Sequence, residues 1–188
     1  MTPAPIIVLD HGREVWFSFD DMLNYNGGDS PGGVAHAFKV LQRSLPLLVP
    51  SGRVERRELL IATAFGGPGA RDAFELVTRA VSEERFVVDP SLTRADFGRA
   101  RERFVFRLSY REQAVALTLR PGFVTDAFTD LAGQESRTAD QEHRLTAMKA
   151  EMAARVMSAA AAAVYYASGT SASDARAAAT ADDRFRAQ

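Results

Sequence analysis

The chain has 188 residues, 46% of them hydrophobic and 25% charged, which suits one soluble globular domain with a well-buried core. Its 23 Lys and Arg nearly cancel 24 Asp and Glu, so the formal charge is −1 and the long-range attraction on which nucleic-acid binding depends is missing. The absence of cysteine removes disulfides, thiolate chemistry, iron–sulfur clusters and all-Cys zinc sites together.

Residues 4–9 and 14–18 are expected to be short extended segments. The apolar run Pro5 to Leu9 is too short for a signal h-region and has no basic flank, so a cytoplasmic location with no membrane association is expected. Ser18 and Asp21 have capping-box spacing for a short helix carrying Phe19, Met22 and Leu23. A glycine-rich loop, Asn26 to Gly33, then leads into a helix beginning near Gly33. Its apolar stripe is Val34, Phe38, Leu41 and Leu45, and Pro46 and Pro50 are expected to end it.

The nearly continuous apolar run Leu59 to Phe65 reads as a strand buried on both faces. A second glycine loop, Gly66 to Gly69, precedes a helix marked by Ala73, Leu76, Val77 and Val81. Phe104, Phe106 and Leu108 alternate with polar positions, as do Val115, Leu117 and Leu119 after a turn at Tyr110 to Gln113, so an antiparallel hairpin with one apolar face is expected. A short helix over 123–132 and a long one over roughly 138–167 complete the pattern. The predicted class is α+β: a mainly antiparallel sheet covered by helices, with a long C-terminal helix, in one domain over 1–167. Residues 168–188 are expected to form a flexible tail. The Ala-rich surface of the long helix points to a homodimer.

Tyr25-Asn26-Gly27-Gly28-Asp29-Ser30-Pro31-Gly32 resembles the Phe-His-Gly-His-x-Cys-Pro-Gly motif of the FmdE family, which takes its name from the molybdenum formylmethanofuran dehydrogenase operon. Gly69-Ala70-Arg71-Asp72-Ala73-Phe74-Glu75-Leu76-Val77-Thr78 is similar to that family's Cys-x-x-Asp-Ala segment, and Leu119-Arg120-Pro121-Gly122 to its Leu-(Lys/Arg)-Pro-Gly. The resemblance covers residues 15–125. It implies two segments converging on one site and assigns the family's metal-ligand positions to Asn26, Gly28, Ser30 and Gly69. Two of these are glycine and the others weak neutral donors, so no metal and no cofactor is expected.

The polar residues expected around the vacated position divide by role. Tyr25, Asn26, Ser30, Arg71 and Glu75 are candidates for binding a small anionic ligand or substrate, since glycine-rich backbone before a helix presents N–H groups to an anion. His36 is the candidate for proton transfer, with Asp29 or Asp72 orienting it. Each has a structural alternative. His36 hydrogen-bonds in an interhelix contact, and Ser30, Asp29 and Asp72 cap their helices. The arginines from Arg94 to Arg111 are expected to form a solvated face salt-bridged with Asp96, Glu102 and Glu112, the alternative being a surface for a negatively charged substrate or partner protein. Two functions therefore stand side by side: a metal-independent small-molecule-binding protein performing an acid–base step such as a cyclisation, elimination or isomerisation, and a non-catalytic ligand-sensing or scaffold subunit derived from a metal-binding family.

Overall fold

The computed structural model describes residues 3–170, and its architecture is α+β. It opens on a hairpin, β1 (Ile6–Asp10) paired antiparallel with β2 (Arg13–Phe17). His11 and Gly12 both have positive φ, 51° and 78°, the two-residue turn geometry whose twist matches that of the strands. The Glu55 carboxylate accepts from both of their N–H groups, at 2.8 and 3.0 Å, fastening the turn to a later loop. A capping box of Ser18 and Asp21 starts α1 (Phe19–Tyr25) as the spacing implies.

Helix α2 (Pro31–Leu48) is the centre of the molecule. It begins at Pro31, two residues before the expected start, because proline at the first helical position loses no hydrogen bond. It also runs through Pro46, which sits in the last turn, where Val49 N–H closes the helix on the Leu45 carbonyl at 3.1 Å. Every residue from Val34 to Leu41 is buried. A helix buried around its whole circumference has no single apolar stripe, so the stripe read from the sequence described only part of its packing.

The second sheet has five strands in the order β4-β3-β5-β6-β7: β3 (Leu59–Thr63), β4 (Phe86–Val88), β5 (Val105–Tyr110), β6 (Gln113–Leu119) and β7 (Tyr165–Thr170). The β3–β4 pair is parallel and the others antiparallel. Phe106, Leu108, Leu117 and Leu119 face inward and are buried, as the alternation predicts. β3 departs from expectation. Leu59 and Ile61 are buried but Leu60 is 48% exposed, so one face of β3 packs on the core and the other is open. Val87 and Tyr166 are likewise exposed.

Between the strands lie α3 (Pro68–Thr78), α4 (Asp126–Ala132), α5 (Ala139–Ser158) and α6 (Ala161–Val164). The expected helix over 138–167 is thus a helix of 20 residues, one further turn and a strand. Ala159 and Ala160 are extended and break the helix despite their propensity. Pairing with β6 then recruits Tyr165 and its neighbours, tertiary contact overriding a weak local preference. Ser168 to Thr170 belong to β7, and the rest of the expected tail lies outside the described residues. No helix among the described residues is long and apolar enough to cross a membrane.

Candidate functional site

The two glycine loops converge. The Asn26 side-chain N–H donates to Asp72 Oδ2 at 2.7 Å, while its Oδ1 accepts the Ser30 N–H at 2.9 Å. An ionised carboxylate only accepts, so the amide nitrogen must be the atom that faces Asp72. Gly27 and Gly28, at φ 74° and 83°, make the turn that brings Asn26 back over the start of α2. The starts of α2 and α3 then abut backbone to backbone. A Cβ built on Gly69 would lie 2.3 Å from the Ser30 carbonyl oxygen and 3.0 Å from Val34 N, and one on Gly33 would lie 3.0 Å from Ala70 N. At Gly69 and Gly33 the two backbones therefore leave no room even for a methyl group.

Three of the candidate residues, Asn26, Ser30 and Asp72, are therefore brought together, and they are occupied with one another. Ser30 takes the N-cap position of α2, but its hydroxyl makes no capping bond; the cap function has passed to Asn26. Asp72 lies past the first turn of α3 and serves as the Asn26 acceptor rather than a helix-end charge. The Asp29 carbonyl accepts from Lys149 Nζ at 3.2 Å, tying the loop to α5. Tyr25 and Arg71 are exposed on the rim.

Glu75 and His36 lie elsewhere. Glu75 points away from the loops and accepts from Val81 N–H, Ser82 N–H and Ser82 Oγ at 2.8, 3.0 and 2.6 Å, holding the turn after α3. Burial pushes its carboxyl up, but the bonds from Ser82 and Val81 outweigh that and leave it below the usual range. His36 is fully buried. Its Nδ1 lies 2.7 Å from the Tyr165 hydroxyl, and its ring packs against Phe104 with centroids 4.7 Å apart. Phe65 stacks on Phe104, with centroids 4.3 Å apart. Burial lowers the His36 pKa to about 3, so the imidazole is neutral near pH 7. This geometry matches the structural alternative for His36, with a strand rather than a second helix as partner. Among the described residues, Nε2 has no hydrogen-bond partner.

Among the described residues, no group of three or more His, Asp or Glu side chains is arranged to hold a metal ion. The arginine cluster is spent on ion pairs and carbonyls: Arg94 with Asp96, Arg99 with Asp130, Arg111 with Glu58, and Arg103 to the Ala64 carbonyl.

Open volume lies at the other end of α2. A cleft of about 420 Å³ is floored by Leu41, Gln42, Leu45 and Pro46, with β1 and its approach on one wall, the loop 49–54 on the other, and Ala161 above. That is within the range of small-molecule sites, and its mainly apolar lining with a few polar groups is their usual character. The sequence carried its cause without revealing its shape. Pro46, Pro50 and Gly52 mark where the chain leaves the helix and swings away from β1, but the gap exists only once the hairpin packs beside it.

No family model matches the chain, and no curated protein matches it.

Proposed function

We propose that this chain is a metal-independent small-molecule-binding protein on an FmdE-like framework, acting by binding rather than by acid–base catalysis, with the cleft beside β1 as its ligand site. The cleft carries this reading, because it is concave, mostly apolar and open, whereas the loop junction is filled by its own side chains. Two further observations support a non-catalytic role. The one candidate proton carrier, His36, is buried and neutral, and Asn26 closes the loops with both of its amide groups used.

The test is direct. An apolar fluorescent probe, anilinonaphthalene sulfonate, should bind the folded protein at about one site and raise its melting temperature. Leu45→Trp, which fills the floor of the cleft, should abolish both effects. Equal binding by the variant would place the site elsewhere.

The homodimer belongs to the same proposal. Ala160, Ala162 and Ala163 are exposed and supply the small-residue surface on which two copies would pack. Light scattering at high protein concentration reads the outcome, and a monomer there removes this part alone.

A further inference from the structure

The cleft's wall has a chemistry that its apolar floor does not reveal. Four consecutive residues of the first segment, Ala4, Pro5, Ile6 and Ile7, all line it. Successive side chains of an extended chain point to opposite faces, so an unbroken run lines a cavity only when the edge of the strand faces it. The register says which backbone groups that edge offers. Asp10 and Arg13 close the two-residue turn of the β1–β2 hairpin, so the pairs that exchange hydrogen bonds are Asp10 with Arg13, Val8 with Val15 and Ile6 with Phe17. Residues 5, 7 and 9 then direct their backbone groups to the opposite edge. Leu9 confirms the direction, since its N–H donates to the Val54 carbonyl at 2.8 Å.

Along that edge most groups are spoken for or absent. The Leu9 N–H is taken by Val54, and Pro5 has no N–H to give. The Ala4 carbonyl accepts from Gln42 at 2.9 Å. Among the described residues, the groups left without a partner beside the cavity are the N–H and C=O of Ile7 and the Pro5 C=O. One donor flanked by acceptors is the complement of one extended residue, whose own N–H and C=O point to the same side. In an antiparallel ladder, one residue exchanges both of its bonds with the residue opposite. Arg53 is the charged residue of the lining, held by Glu14 at 3.5 Å with both side chains about half exposed, a pairing weak enough for a carboxylate to displace.

Resting on the reading of the cleft as the ligand site, we infer that its ligand is an apolar N-acyl amino acid, or the carboxyl end of a short apolar peptide, bound as an added strand on the free edge of β1. The N–H of its apolar residue donates to the Ile7 carbonyl and the carboxylate of that same residue accepts the Ile7 N–H, while the acyl carbonyl points away from β1. Its side chain lies on Leu41, Leu45 and Val54, and its carboxylate meets Arg53. The amide fixes register and the cavity selects an apolar side chain.

The experiment titrates the full chain, labelled with ¹⁵N, with N-acetyl-leucine, with its ester analogue in which oxygen replaces the amide nitrogen, and with N-acetyl-leucine methylamide. N-acetyl-leucine should move the Ile7 amide resonance, and the ester should bind about tenfold more weakly because the Ile7 carbonyl loses its donor. The methylamide, or N-acetyl-leucine with Arg53→Gln, should bind severalfold more weakly through loss of the charge pair. Arg53 is half exposed, so that variant leaves the fold intact. Leu45→Trp should remove binding of all three. Amide and ester binding equally, with Leu45→Trp still blocking both, would overturn the ligand class and leave the cleft as the site. Binding of the naphthalene probe without binding of any leucine derivative would do the same. Failure of every probe to bind would overturn both readings.

Discussion

His36 and Tyr165 are 129 positions apart in sequence and 2.7 Å apart in the fold, joined through Nδ1 and the phenol oxygen at the bottom of an aromatic layer of Phe104, Phe106 and Phe65. The pair connects the central helix to the last described strand, and burial raises the Tyr165 pKa as it lowers that of His36, so both stay neutral. Tyr165→Phe keeps the ring and leaves a buried imidazole nitrogen without its partner, an expected loss of ~1–3 kcal/mol in denaturant unfolding. A change within ~0.5 kcal/mol would mean that the hydrogen bond adds nothing.

The same burial gives the fold a pH dependence with a definite sign. The folded-state pKa of His36, about 3, lies below the unfolded value of 6.5, so the unfolded chain binds the extra proton across that interval. Stability is full above about pH 6.5 and falls as pH drops toward 3, with a limiting slope of about 1.4 kcal/mol per pH unit. Urea midpoints from about pH 7 to 4 measure it. His36→Leu should flatten the slope above about pH 5, where the carboxylates of Asp10 and Glu58, held low by Arg57 and Arg111, have not begun to protonate.

Gly69 sets the approach of the two loops, and its replacement is a sharp test of that contact. Gly69→Ala forces a methyl group against the Ser30 carbonyl and Cβ and against Val34 N, mostly backbone atoms that cannot swing aside. The expected loss is ~1–3 kcal/mol, as for overpacking in a core. Gly169→Ala is the control, since a Cβ there meets nothing within 4 Å, and it should change stability by less than ~0.5 kcal/mol.

How far the sequence could be read follows from the range of the forces involved. The capping box at Ser18, the alternation of Phe104 to Leu108 and the breaks at the glycine loops are local, and each appears where its spacing places it. Strand β7 was hidden because Ala159 to Ala163 favour helix locally and only the edge of β6 pulls Tyr165 to Thr170 into the sheet. The depth of His36 was out of reach for a related reason. Its burial depends on α5 and β7 closing over α2, contacts made by residues more than 100 positions away. The meeting of the glycine loops was legible from resemblance, but that they meet without a gap depends on Gly69 packing against Ser30, which spacing does not encode.

Purified protein should hold no stoichiometric transition metal. The four positions that resemblance assigns to ligands are Asn26, Gly28, Ser30 and Gly69, and the donors present at the junction are spent, Asn26 on Ser30 and Asp72. Elemental analysis after dialysis is the measurement. About one zinc, iron or nickel ion per chain, lost on Asp72→Ala, would show that the junction opens in solution and recruits a ligand set that this arrangement does not form.

Asn26→Asp gives the most specific reading of the loop junction, because it changes one N–H₂ group for an oxygen and nothing in shape. The Oδ1 that accepts the Ser30 N–H is preserved, so the local cap survives. The donor to Asp72 is replaced by a second carboxylate at the same 2.7 Å, in a partly buried setting where two negative charges repel strongly. Near pH 7 the expected loss exceeds that of Asn26→Ala, which leaves Asp72 without a donor but adds no charge and should itself cost ~1–2 kcal/mol. At lower pH the two facing carboxylates of the variant can share one proton and recover the hydrogen bond, so the gap between Asn26→Asp and the parent should narrow as pH falls from about 7 to 5. The parent must be measured at each pH, since its own stability declines through His36. A gap that stays constant with pH would mean the two carboxylates are not in contact, and the loops would then be held together by Gly69 and its neighbours alone.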